Sequence, residues 1–265
     1  MPAVRRAVVD GLFYPAAPAA LRAQAADYIA SVGTDDAARR PKLLITPHAG
    51  YVYCGAIAGH AYALLGRRRT QISRAALLGP AHRVAVHGLA SPEADAFETP
   101  LGEIMLDVAT LASLDALPQV VRDNKAHEHE HSLEVQLPFL QTLLGSFTLV
   151  PLVVGDASAE AVAQVLERLW GGEETLIVIS SDLSHYLPYA QAQAVDQATA
   201  QRILSLDSGL TPHEACGAAA INGALLAARR HGLAPRLLDL RNSGDTAGDR
   251  DRVVGYGAFA FEALH

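Results

Sequence analysis

Three histidines each follow a short apolar run. In Lys42–Gly55, KLLITPHAGYVYCG, His48 stands just behind Thr46-Pro47, and Ser73–His82, SRAALLGPAH, repeats the arrangement with Gly79-Pro80-Ala81-His82. A third version, Thr175–His185 (TLIVISSDLSH), ends its run in Ser180-Ser181-Asp182, with His185 close behind. Imidazole is neutral near pH 7 and serves equally as metal ligand or as proton carrier. Two histidines and one carboxylate, with other positions open, form the set that non-haem iron enzymes use to bind substrate and oxygen together. His48 and His82 supply the two nitrogens. Asp245, in the glycine-flanked RNSGDTAGDRD, is the candidate carboxylate, although Asp-Gly clusters are also ordinary turns. Asp182 is close enough in sequence to orient His185, which reads as the general acid and base. One histidine after a strand is more often a hydrogen-bonded structural residue than a ligand, but three at equivalent strand ends point to a shared site.

Other residues belong to the surroundings of that site. The run His127-Glu128-His129-Glu130-His131 looks like a metal motif, yet such runs are often solvated surface. His131 and Glu134, where a helix begins, are placed on the outer wall of the pocket, with simple capping as the alternative. Cys54 and Cys216 both read as small buried hydrophobes; Cys54, near His48, is also a candidate for the pocket lining, as is Tyr51. Gly50 and Gly55 leave room near the backbone for a ligand and for the turn into a helix.

Positioning these residues requires strands that end together. Leu43–Thr46, Ala75–Leu78, Phe147–Val154 and Leu176–Ser180 are continuous apolar runs of the kind buried on both faces of a parallel sheet. Helical spacing over Ala17–Val32, Gly55–Leu65, Val108–Leu114 and Ala159–Trp170 supplies the covering layers. The order strand, helix, strand from Leu43 to Leu78 implies a parallel pair with the helix as crossover. Thr211-Pro212-His213-Glu214 reads as a capping box that starts a long helix through Arg230. A strand, a loop over Asn242–Asp251 and a final strand Val253–Phe261 complete the chain. The fold class is α/β: a single domain over residues 1–265, with a largely parallel central sheet flanked by helices and extended by antiparallel strands. Ligands of such sheets collect at the carboxyl ends of the strands.

Composition narrows the function classes. A formal net charge of −7 and a pI near 5.8 argue against a general nucleic-acid surface. Two cysteines give no disulfide framework, no apolar run reaches membrane-spanning length, and the first residues lack the apolar core of a signal peptide. A cytoplasmic protein without nucleic-acid or membrane partners is expected.

The ordered set FYPAAPAAL, PHAGYVYCG, GPAH, EHSLEVQLPFL, VPLVVGD, SSDLSHY and EACG, spanning Gly11 to Phe261, resembles the Memo family (mediator of cell motility), whose bacterial and archaeal members are known as AmmeMemoRadiSam system protein B. The resemblance implies a fold shared with the catalytic subunit of class III extradiol dioxygenases, which open catechol rings with iron(II). It aligns His48 and His82 with the family's two metal-site histidines, and Asp182 and His185 with its Asp-x-x-His pair. The histidine at the place of His185 serves acid/base catalysis in those dioxygenases. In animal Memo proteins a cysteine from the late loop reaches the metal pocket; Asn242–Asp251 contains none, and Thr246, with Asp245 beside it, is nearest by spacing from Tyr256. Iron(II) is the implied cofactor, with copper or zinc as competitors. The implied ligands are a small molecule, catecholic in the dioxygenase case, or a peptide, and other proteins of the AmmeMemoRadiSam system are implied partners. Two functions follow: an iron-dependent, dioxygenase-like oxidoreductase, or a non-catalytic peptide- or protein-binding module that uses the same pocket.

Overall fold

The structure, a computed structural model, describes residues 3–32 and 40–263. Its elements run β1 (Val4–Arg5), α1 (Pro18–Ala30), β2 (Leu43–Thr46), α2 (Tyr51–Ala63), β3 (Arg74–Pro80), β4 (Leu89–Ser91), β5 (Ala96–Thr99), β6 (Gly102–Met105), α3 (Val108–Leu114) and β7 (Val120–Arg122). They continue with α4 (Asn124–Glu128), a 3-10 turn over Glu134–Gln136, α5 (Leu137–Leu143), β8 (Thr148–Val154), α6 (Ala159–Leu169), β9 (Thr175–Ser180), β10 (His185–Leu187), α7 (Tyr189–Leu204), α8 (Ala218–Arg230), β11 (Leu233–Asn242), a 3-10 turn over Ser243–Asp245, and β12 (Val253–Ala263).

The four apolar runs are the centre of a nine-stranded mixed sheet of order β10-β12-β2-β9-β3-β8-β4-β7, with β11 paired along β12. β2, β9, β3 and β8 are mutually parallel, and every residue of β2 and β9 is buried, which requires cover on both faces. α1 packs on α2 and α5, and α6 on α8. Antiparallel strands extend the sheet on both sides: β12 beside β2, and β4 beside β8. The expected α/β architecture with a largely parallel centre is present, and the hydrophobic core is continuous through it. A small sheet, β1-β5-β6, stands apart from the large one.

Three local expectations change. β2 and β3 are parallel but not paired, because β9 lies between them, its Ile179 opposite Ile45 on one side and Leu78 on the other. The long helix expected from Thr211 starts only at Ala218. Glu214 does accept from the backbone and hydroxyl of Thr211, but the N–H of Cys216 donates to the Asp182 carbonyl and that of Gly217 to the Ser181 hydroxyl. Those donors are diverted from a helix to the loop after β9. Gly217 permits this approach, since a Cβ there would come within 2.7 Å of the Ser181 side chain. Gly55 is needed for helix packing, not for ligand space: its Cβ would strike the Tyr28 ring of α1 at 2.3 Å.

Candidate metal centre

Because β2, β9 and β3 run side by side, the loops at their carboxyl ends converge. His48 follows β2, His82 follows β3, and Asp182 and His185 follow β9 between them. His131 arrives from a fourth direction, the segment between α4 and the turn at Glu134. Among the described residues, His48, His82 and His131 offer ligand atoms that all lie within 4.8 Å of one another. The His82 and His131 rings stack with centroids 4.7 Å apart, and His48 meets both edge-on at 5.2 and 5.5 Å. His48 is buried, His131 half-buried, and His82 is the member open to solvent.

Hydrogen bonds fix which nitrogen each ring has to spare. Ser180 Oγ gives its single hydrogen to the Ser132 carbonyl (2.6 Å) and accepts from Gln136 Nε2 (2.8 Å), so its 2.9 Å contact with His48 Nδ1 makes that nitrogen the donor. His48 Nε2 therefore carries the lone pair. His82 Nδ1 donates to Glu130 Oε1 at 2.9 Å and likewise leaves Nε2 as acceptor. A carboxylate or hydroxyl behind a histidine is the usual device for aiming a metal-binding imidazole and raising its basicity. His131 Nδ1 is buried without a hydrogen-bond partner; it lies 3.3 Å from Glu130 Oε1, outside bonding geometry.

The electrostatics favour neutral rings. Burial, reinforced by His82, lowers His48 to about 3, and burial with His48 lowers His131 to about 4. Burial acts to raise Glu130, but the hydrogen bond and charge of His82 and the N–H groups of Ser132 and His82 outweigh it and bring the carboxyl down to about 2. The result is two neutral imidazoles, His48 and His131, beside one buried anion.

Asp182 is buried, and its Oδ1 accepts the His48 backbone N–H at 2.8 Å, so it braces the His48 loop; burial raises its pKa. His185 Nδ1 lies 2.9 Å from the Leu183 carbonyl, which can only accept, so Nδ1 holds the proton and Nε2 the lone pair. Asp182, His185 and His131 face a cavity of about 460 Å³.

The structure leaves Asp245 out of the cluster. Its carboxylate accepts from Tyr189 Oη and from the Asn242 N–H (3.0 Å), closing a capping box on the turn at Ser243–Asp245. Thr246 caps the same turn through the Ser243 carbonyl, while Ser243, Gly248 and Asp249 of this loop line the cavity. Glu134 does not line this cavity: it is fully buried and bonded to Arg5, Tyr14 Oη and the N–H groups of Val8 and Val9. His131 lies inside the site, not on its outer wall. Tyr51 donates to the Val135 carbonyl and Cys54 to the Ala49 carbonyl, both buried behind the cavity. The thiol that reaches the centre is Cys216, whose Sγ stands 3.4 Å from His48 Nε2, so the cysteine sought in the late loop comes from the turn before α8. Burial, with Asp182 nearby, pushes this thiol up to about 12. Glu130 is the other residue that sequence reasoning missed; its position between two histidines was the available signal.

The Memo-like protein family model matches residues 5–260. The chain belongs to the Memo-like family. Its relatives include a MEMO1 family protein of Archaeoglobus fulgidus, 33% identical over 97% of this chain and 99% of the relative, and one of Metallosphaera sedula, 32% identical over 97% and 99%. A solved structure, that of uncharacterized protein JW3007 from Escherichia coli K12, superposes with a TM-score of 0.47 at 15% identity, covering 82% of this chain and 99% of the other. As a member of this family the chain carries a histidine cluster able to hold a metal ion. Among the described residues no helix is long and apolar enough to cross a membrane.

Proposed function

We propose that this protein is a non-haem metalloprotein of dioxygenase type, with iron(II) held by His48, His82 and His131. The observation that carries this reading is the set of three converging imidazoles, two of them with Nδ1 anchored by oxygen and Nε2 left as a lone pair. The donor chemistry fits a first-row transition ion, for which imidazole is a suitable ligand. Cys216 is a fourth candidate donor: an imidazole nitrogen and a thiolate on one tetrahedral ion stand about 3.6 Å apart given the usual bond lengths, and the present separation is 3.4 Å. Iron(II) supplies a Lewis-acidic, redox-active centre for a chelating diol and dioxygen.

The chain's own groups supply the rest. His185 Nε2, facing the cavity, takes the proton of a catechol hydroxyl and returns it later. Asp182 holds the His48 loop through its backbone N–H, and Glu130 keeps His82 in the tautomer that binds. Protein purified without oxygen should carry near-stoichiometric iron and consume oxygen with at least one catecholic diol. Stoichiometric zinc, or no oxygen uptake across a broad diol panel, overturns the catalytic reading.

The second reading, a peptide-binding module, draws support from the exposed apolar side chains at the cavity mouth, Leu12, Val52 and Tyr186. A peptide bound equally well by wild type, metal-free protein and His48→Ala favours it over the enzyme.

A further inference from the structure

Seven large apolar residues of the described chain are exposed, and four of them, Leu12, Val52, Tyr53 and Tyr186, line the mouth of the cavity that reaches His131, Asp182 and His185. Solvent-facing apolar surface is ordinary when scattered; its concentration around a concave site marks where an apolar ligand rests.

Tyr186 adds a second observation. Among the described residues it is one of two non-glycine residues with a left-handed backbone, at φ 60, a conformation that costs of order 1 kcal/mol or more and persists where the surrounding structure enforces it. The residue is 61% exposed. The guanidinium of Arg252, from the loop before β12, lies 5.0 Å from the centroid of that ring. Among the described residues Arg252 forms no ion pair. The nearby Asp249 carboxylate is turned to its own loop, accepting the N–H groups of Asp251 (3.0 Å) and Arg252 (3.4 Å). A planar cation laid over an aromatic face keeps its N–H edge for a ligand, and that edge matches a carboxylate with two parallel hydrogen bonds.

We infer that the ligand of this cavity is a small aromatic carboxylic acid, its ring against Val52, Tyr53 and Tyr186, its carboxylate on Arg252 and its remaining oxygens toward the histidines. This inference rests on the metal-site reading for the far end of the ligand only. Arg252 acts as the specificity-determining residue: it selects the anionic member of a set of otherwise similar diols. A volume of about 460 Å³ is within the range that accommodates a single-ring acid with room to spare.

The test is calorimetric titration of the full chain, iron-loaded and metal-free, with 3,4-dihydroxyphenylacetate, neutral 4-methylcatechol and cationic dopamine under anaerobic conditions. The acid is expected to bind at least tenfold more tightly than the neutral diol, with dopamine weakest. Arg252→Gln, at an exposed position, should erase that preference while leaving 4-methylcatechol unchanged, and Arg252→Lys should restore part of it. Equal binding of the three, no binding of any, or a uniform loss in Arg252→Gln overturns the inference. A preference for the acid that is identical in metal-free protein upholds Arg252 and counts against the metal reading, whereas stoichiometric iron without any preference counts against Arg252 alone.

Discussion

The eight residues His127–Glu134 feed two buried sites of opposite character. His131 and Glu130 turn to the histidine centre, where ring nitrogens outnumber the protein groups available to them. Glu134 turns to the N-terminal strand, where Arg5, Val8, Val9 and Tyr14 saturate its oxygens, and Arg5 in turn ties down the carbonyls of His127 and Glu130. Both regions bury charge, and both join distant parts of the chain. Burial alone therefore does not single out the functional site. The distinguishing sign is spare donor capacity: lone pairs that converge on one point mark a place for a ligand, while a fully bonded ion pair marks a fastening.

Substitution should separate the two regions. In a His48→Ala/His82→Ala variant, elemental analysis is expected to show metal falling from near one ion per chain to background, with a urea midpoint close to that of metal-free wild type. Unchanged metal content would refute the assignment of the centre. Glu134→Ala should do the reverse, costing about 3–5 kcal/mol in urea unfolding because the Arg5 cation is left buried and unpaired, while the folded fraction still binds metal.

A pH titration probes the boundary between them. Burial lowers His127 to about 4, and its Nε2 donates to the Ala90 carbonyl, leaving Nδ1 as a buried lone pair. The unfolded chain, with a histidine near 6.5, binds the proton first, so stability is full above that pH and is lost as pH falls toward 4. For metal-free protein this one group contributes at most about 3 kcal/mol to that loss, and His127→Gln should remove its share. The Glu130 window lies lower, between its ordinary value near 4.5 and about 2, so the two are resolved along the pH axis.

The smallest effect sharpens the role of Glu130. Glu130→Gln retains a hydrogen-bonding group behind His82 but removes the charge, and metal affinity by competition with a chelator should weaken about 10- to 100-fold, as for other residues that support a metal-binding histidine. An unchanged affinity would make the carboxylate a fastening like Glu134.

Much of this arrangement is legible in the residues. The centres of these strands, Leu43–Ile45, Ala75–Leu78 and Leu176–Ile179, are apolar throughout, and a strand buried on both faces leaves few alternatives, so the parallel centre and the histidines beyond its strands follow directly. What sequence pattern cannot carry is neighbourhood across the sheet. Nothing in the order of β2 and β3 reveals that β9 inserts between them. The Thr211 capping box reads as a helix start because its local chemistry is complete, yet tertiary bonds from Cys216 and Gly217 to the loop after β9 divert the chain and bring the thiol to His48. Asp245 has the same lesson in reverse: a carboxylate in a glycine-rich loop is equally suited to a metal and to a cap, and here the cap takes one oxygen and the Tyr189 hydroxyl the other.

The central place of β9 also bears on how the molecule is made. Asp182, which braces His48, is synthesised 134 residues after it. Until β9 is available, β2 and β3 cannot reach their final neighbours, and the chain must hold two unfilled sheet edges apart. Such long-range pairing folds slowly. A binding point drawn from both of those strands exists only after the last central strand is in place. An ion captured there meets finished protein, so it should slow unfolding far more than it speeds folding.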